Sequence, residues 1–179
     1  MKSLATYITE KMVYTKSTTN TIKYNYYPET KKELEDLLKQ LIDERGNDGN
    51  FNDIDVSKIT DMSGLFELSK FNGDISKWDV SNVNDMTCMF YDCELFNQPL
   101  NNWNVSNVII MDRMFCGCKS FNQPLNNWNV SNVTNIRWMF DNCKSFNQDI
   151  SNWDVSNVRG KIDMFDGCPI EKKYQPKFK

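Results

Sequence analysis

Four cysteines recur at intervals of 25 residues and are the first candidates for metal or redox chemistry. They are Cys93, Cys118, Cys143 and Cys168. Two more cysteines, Cys88 and Cys116, lie outside this series, and Cys116 forms a Cys-x-Cys pair with Cys118. Tetrahedral zinc needs four ligands, and the chain has no histidine and no second local cysteine pair. We therefore expect reduced thiols, with the periodic four buried in a row, and no metal or other cofactor.

The lack of histidine also bears on catalysis. Histidine is the commonest general base in enzymes. The sequence shows no nucleophile paired with a base, no phosphate-binding loop and no cluster of metal ligands. These observations favour a protein that is not an enzyme.

Charge and hydropathy argue against two further classes of partner. The net charge is -3, with acidic and basic residues interspersed, whereas nucleic-acid-binding domains carry a basic surface. No stretch of about 18 apolar residues could cross a membrane, and Met1 to Met12 is too polar for a signal peptide. We expect a cytoplasmic protein with neither nucleic acid nor membrane as its partner. A reducing compartment also suits six free thiols.

The 25-residue period extends to most apolar positions between residues 51 and 168. Two sets of phenylalanines, one of tryptophans and one of valines keep the step of the cysteines. The sets are Phe71, Phe96, Phe121, Phe146; Phe90, Phe115, Phe140, Phe165; Trp78, Trp103, Trp128, Trp153; and Val80, Val105, Val130, Val155. Such self-similarity predicts a solenoid in which each unit buries its apolar face on its neighbours.

Each unit is predicted to contain a short strand and a helical segment. Trp103 and Val105 alternate as in a strand, and Ser106 stands where the N-cap of a helix belongs. After each such serine the apolar residues fall at steps 2, 5, 8, 9 and 12, which share one face at about 100° per residue. The sequence therefore predicts an α/β solenoid of the leucine-rich-repeat type, with about five units.

Three flanking segments complete the predicted organisation. Residues 1–28 form an N-terminal arm that either covers the open end of the solenoid or binds a partner through Tyr24, Tyr26 and Tyr27. Residues 29–50 contain a capping helix, since a capping box at Thr30 precedes leucines at helical spacing and Gly46 ends the run. Residues 169–179 form a basic tail.

The repeat pattern resembles a known family. Trp-x-Val-Ser-x-Val-x-x-Met-x-x-Met-Phe-x-x-Cys, carried by residues 51–168, is similar to the units of the BspA-like leucine-rich repeat proteins of bacteria. The segment from Pro28 to Leu34 resembles the leader that often precedes such repeats. The resemblance implies units in which a strand is followed by a helical segment ending in Phe-x-x-Cys. It also implies a surface or adhesive role, as described for most members.

The numerous asparagines are predicted to be structural. One set lies beside the phenylalanines and another beside the serines. Amide side chains can satisfy main-chain groups at the corners of stacked units.

Two surfaces are candidates for binding. Steps 3, 7 and 10 after each serine would face solvent on a helix, and they carry residue types enriched in interface hot spots. The predicted partner-binding residues are Tyr91, Ile109, Arg113 and Trp138. Cys88 and Cys116 occupy the same exposed steps. The alternative is a polar row on the concave face of the solenoid, namely Asp79, Asn104, Asn129 and Asp154. Calcium binding by this row is disfavoured because half of these side chains are neutral.

Two functions follow as hypotheses. The first is an intracellular protein-binding module, for example a stoichiometric inhibitor of a host factor that a phage or mobile element encodes. The alternative is a surface adhesin or a structural protein of a virion. The identity of the partner and the oligomeric state are not specified by the sequence.

Overall fold

Five stacked coils of about 25 residues make up most of the protein in a computed structural model that describes residues 24–178. We define the coils as residues 51–70, 71–95, 96–120, 121–145 and 146–170. One residue of each coil lies in a continuous series of parallel bridges, formed by Asp61, Asp85, Ile110, Asn135 and Gly160. Predictions for residues 1–23 lie outside the described part of the chain.

The predicted α/β leucine-rich-repeat solenoid is wrong. Over residues 24–178 the secondary structure is one α-helix, α1 (Lys31–Arg45), and one 3-10 turn, Lys172–Tyr174. Pairing between coils occurs as isolated bridges, and no residue in this range belongs to a strand. Each coil is therefore built from successive tight turns instead of a strand and a helix.

A left-handed residue in each coil explains why the helical segment does not form. Step 7 after the serine has a φ of 54° at Cys88, 52° at Arg113 and 52° at Trp138, whereas an α-helix needs about −63°. The apolar steps 5, 8, 9 and 12 are nevertheless buried in coils 2 to 4. Successive tight turns bring these positions to the interior. In one such turn, the N–H of Met89 bonds to the carbonyl of Met86, three residues before it. The predicted burial is thus confirmed on a different backbone.

Tight turns on both sides of the tryptophan prevent the predicted strand. The N–H of Trp103 bonds to the carbonyl of Leu100, which closes one turn. The side chain of Asn104 then accepts the N–H of Ser106 at 3.2 Å and closes the next. The N–H of Ser106 is held in this Asx turn, and no helix begins after Ser106, so this residue is not a helix N-cap.

Alternate N–H groups join each coil to the next. In coil 4 the donors are Ile136, Trp138, Phe140 and Asn142, and they reach the carbonyls of Gly160, Ile162, Met164 and Asp166 at 2.7–2.9 Å. The N–H groups between them, such as that of Asp141, close turns within the coil. Main-chain donors are thereby satisfied without extended strands.

Rows of identical side chains fill the interior. The four periodic tryptophans are buried, as predicted. The rings of Phe90, Phe115 and Phe140 stack at 5.5 and 5.6 Å between centroids. In the thiol row, Cys118 donates to the carbonyl of Phe90 at 2.9 Å, and Cys143 repeats this contact with Phe115. These thiols are fully buried, which confirms the predicted row for its inner members.

Helix α1 covers the first coil and lies within the segment 29–50 for which a capping helix was predicted. Thr30 accepts the N–H of Glu33 at 3.2 Å, and Gly46, with a φ of 76°, ends the helix. Leu34 and Leu41 are fully buried in the same core as coil 1. Beside the helix, Tyr26 forms a parallel bridge with Ile54. Within residues 24–178, no helix has the length and apolar character needed to cross a membrane.

Candidate functional site

Arg113 and Trp138 form the best-defined contact among the predicted partner-binding residues. They occupy the same left-handed position in coils 3 and 4, and the guanidinium carbon lies 4.1 Å from the centroid of the Trp138 ring. Asp112, whose side chain is 12% exposed, pairs with Arg113 at 2.9 Å. The guanidinium is therefore held between a carboxylate and an indole face, and the contact is formed before any partner arrives.

The other two predicted residues lie on the same stacked segments. Ile109 is 47% exposed on coil 3. Tyr91 is half-buried on coil 2, and the negative charge of Asp92 raises the pKa of its phenol. Tyr91 therefore stays a neutral hydrogen-bonding group at physiological pH.

Ile162 belongs with this surface and escaped the sequence reasoning. It is 53% exposed, and its carbonyl accepts the N–H of Trp138 at 2.9 Å. Ile162 occupies step 6 after Ser156, whereas Trp138 occupies step 7 after Ser131. If these segments were helices, step 6 would not lie next to step 7 of the preceding coil. The sequence could have indicated this position, because coil 5 has an isoleucine where coils 2 to 4 have the polar residues Thr87, Asp112 and Arg137. We call Tyr91, Ile109, Arg113, Trp138 and Ile162 together the Arg–Trp patch.

Cys116 was expected to face solvent, and this prediction is wrong. Its exposure is 8%, and its thiol lies 3.6 Å from a carboxylate oxygen of Asp141. Burial and the charge of Asp141 raise the pKa of Cys116 to about 12. On the turn ribbon the coils on either side cover this position, with Asp92 adding to the charge around it. Cys88 is half-buried, and burial followed by the charge of Glu67 raises its pKa.

The alternative polar row is exposed but also has a structural task. Each member accepts the N–H of the serine two residues later, at 3.1–3.2 Å, and so closes an Asx turn. The members are Asp79, Asn104, Asn129 and Asp154. Binding by this row stays a prediction, since an exposed carboxylate or amide can contact a ligand while it caps a turn.

The asparagine ladders are confirmed as structural. Asn97 accepts the N–H of Asn122 at 3.0 Å, and Asn122 accepts that of Asn147 at the same distance. In the second ladder, the amide of Asn107 donates to the carbonyl of Ser81 at 2.7 Å. Both ladders join consecutive coils at their corners.

Residues 24–178 offer few side chains that could hold a metal ion or a small-molecule ligand. No set of three or more cysteine, aspartate or glutamate side chains there is placed to ligate a metal ion. A shallow depression of about 260 Å³ lies between coils 4 and 5, lined by Pro124, Asn126, Gln148, Asp149, Ser151 and Asn152. Its walls are polar and carry one carboxylate, so it offers no evident catalytic group.

Comparison with known proteins gives one family. A family model described as Mycoplasma protein of unknown function, DUF285, matches residues 36–132 and 68–175. No curated protein and no solved structure matches the chain.

Proposed function

Because the chain belongs to the family described as Mycoplasma protein of unknown function, DUF285, we propose its function from its surface: a non-enzymatic module that binds a partner protein through the Arg–Trp patch. The proposed mode of action is occupation of the partner's surface, as in a stoichiometric inhibitor. One example of such an inhibitor is a protein that a phage or mobile element encodes and that blocks a host factor.

The contact between Arg113 and Trp138 is the observation that carries this proposal. Arginine and tryptophan are the residue types most enriched in binding hot spots. Because Asp112 and the indole ring already hold the guanidinium, little side-chain entropy remains to be lost when a partner docks. Exposed Ile109 and Ile162 supply apolar area around this centre.

We also propose a cytoplasmic location. Cys118 and Cys143 act as S–H donors to main-chain carbonyls, a role that only the reduced thiol can fill. Such thiols suit a reducing compartment. The adhesive or virion role implied by the BspA-like resemblance stays a prediction, and no observation on the described residues favours it.

The test begins with affinity capture of the partner from the native host, followed by calorimetric titration of the purified pair. We expect Trp138→Ala and Arg113→Ala each to weaken binding by about 2 kcal/mol or more with a melting temperature close to that of the wild type. Lys77→Ala, an exposed substitution beside the polar row, is the matched control and should bind normally. Unchanged affinity in both patch variants, or loss of binding in the control alone, contradicts the proposal.

A further inference from the structure

The ladder of main-chain hydrogen bonds between coils stops at the last coil with its donors unused. The four N–H groups that correspond to the donors of coil 4 belong to Lys161, Asp163, Phe165 and Gly167. Among residues 24–178 none of these four N–H groups has a hydrogen-bond acceptor. Their coil nevertheless keeps the turns of the inner coils, since Asp166 bonds to the carbonyl of Asp163 and Cys168 to that of Phe165.

The C-terminal tail occupies only part of the position that a sixth coil would take. The N–H of Glu171 bonds to the side chain of Asn147 at 2.9 Å and so continues the asparagine ladder. The carbonyl of Tyr174 accepts the N–H of Ile150 at 3.0 Å. Near the turns of coil 5, the tail contributes the ring of Phe178, whose centroid lies 4.6 Å from the ammonium nitrogen of Lys161. Within residues 24–178, no carbonyl group bonds to the edge formed by the four N–H groups.

We propose that this edge, which we call the terminal edge, binds a polypeptide segment of a partner that continues the ladder as a further coil would. The segment supplies main-chain carbonyl groups at alternate residues, as the next coil does throughout the stack. This mode corresponds to the addition of a strand to an open sheet edge. The terminal edge shares Ile162 with the Arg–Trp patch but binds through the main chain of coil 5, and the proposal goes beyond the function proposed above.

The side chains at the terminal edge define what the segment must carry. Phe165 is the last member of a row of stacked rings. Its ring centroid lies 5.9 Å from that of Phe140, and its side chain is half-buried. An aromatic residue in register would cover its free face and extend the row. Ile162, exposed on the same coil, favours an apolar neighbour. The expected segment therefore contains an aromatic residue among apolar ones.

A second intact copy of the chain is a poor occupant for the terminal edge. Its last coil presents the same unused donors, and its first coil is covered by α1. Leu34 and Leu41 are fully buried there, and the ammonium group of Lys31 bonds to the hydroxyl of Ser63 at 2.6 Å. A separate extended segment has no such obstruction.

Amide hydrogen exchange on the full chain tests the free edge. The N–H groups of Ile136, Trp138, Phe140 and Asn142 should exchange at least about a thousandfold more slowly than the corresponding four of coil 5, since the former open only when coils separate. Equal protection of the two sets overturns the proposal, because it means that the terminal edge is already covered.

A synthetic peptide of residues 134–143 is the probe for binding. In the protein, this segment supplies the four carbonyl groups that accept the donors of coil 3, and it carries Phe140. At about 2 mM, we expect it to slow exchange of the four amides of coil 5 at least about threefold, the weak effect of an unstructured ligand that must be ordered. A peptide with the same composition in scrambled order is the control, and a Phe140→Ser peptide should bind more weakly.

Either of two results overturns the proposal. One is no protection of the four amides at peptide concentrations up to about 5 mM. The other is protection by the scrambled peptide equal to that by the probe. Loss of binding by the Arg–Trp patch variants tests the proposed function alone, so the two proposals can fail separately.

Discussion

The indole N–H of Trp128 donates to the carbonyl of Leu100 in the preceding coil at 2.9 Å. Trp103 and Trp153 make the same contact with Ile75 and Leu125. Each of these tryptophans therefore fills the core and also satisfies a main-chain acceptor of its neighbour. The two contributions can be separated by substitution.

Trp128→Ala should lower the free energy of unfolding by about 3–5 kcal/mol, the typical cost of a large cavity. Trp128→Phe keeps most of the buried ring and removes the indole donor, so the Leu100 carbonyl retains only the N–H of Trp103. Loss of the one hydrogen bond should cost about 0.5–1.5 kcal/mol. Urea denaturation followed by circular dichroism measures both values. If the phenylalanine variant is as stable as the wild type, the hydrogen bond contributes nothing.

Trp138→Gly should be more stable than Trp138→Ala by about 1 kcal/mol. Both substitutions remove the ring that stacks on Arg113, and only glycine adopts the φ of 52° without steric cost. At positions with ordinary φ the order is reversed, since alanine loses less conformational entropy on folding. Thermal unfolding of the two variants gives the comparison, and the pair Val105→Gly and Val105→Ala serves as a control at a position without positive φ.

Asn104→Asp should retain the stability of the wild type, while Asn104→Ala should lose about 0.5–2 kcal/mol. The aspartate can still accept the N–H of Ser106, whereas alanine leaves the turn without its acceptor, a loss comparable to removal of a helix cap. Chemical denaturation decides between them. Asn104→Asp also changes the charge of the polar row without breaking a turn, so any effect on partner binding can be assigned to the surface itself.

Among the six thiols, Cys88 and Cys168 should be alkylated before the other four in the native protein. Both are half-buried, whereas Cys93, Cys116, Cys118 and Cys143 are buried and burial raises their thiol pKa values. The pKa of Cys88 is also above its ordinary value, so its thiolate fraction at pH 7 is small and its rate should keep rising as the pH passes about 9. Mass-mapped labelling at several pH values follows each site. Preferential labelling of Cys118 contradicts the burial of the row.

The period of 25 residues predicted the burial of the rows correctly and the backbone wrongly. Trp103, Cys118 and Phe115 are buried because burial depends on which positions recur, and the repeat specifies these. The helix after Ser106 was inferred from spacing, yet a ribbon of turns with two left-handed residues per coil buries the same steps. Spacing contains no information on the sign of φ. The helix within residues 29–50, with its capping box, was therefore predicted, and the backbone of the coils was not.

For the candidate site the same distinction holds. Arg113 and Trp138 were selected for residue type and for an exposed step, and step 7 is at the surface on either backbone. Cys116 was wrongly placed at the surface, because step 10 of coil 3 is covered by the adjacent coils. Ile162 was not selected, although step 6 of coil 5 is exposed. The cation–π contact between coils could not be derived from one unit, since it depends on the stacking register.

Because the hydrogen bonds between coils join only neighbouring coils, a duplication of 25 codons would insert one more coil without altering the others. The tryptophan, phenylalanine and asparagine rows would each lengthen by one member, and α1 and the tail would keep their places. Such an event would, however, separate Arg113 from Trp138 if it fell between them, and it would leave each with a new neighbour. Recombination within the gene can therefore change the surface in single steps while the interior stays the same, and relatives are expected to differ in length by multiples of 25 residues.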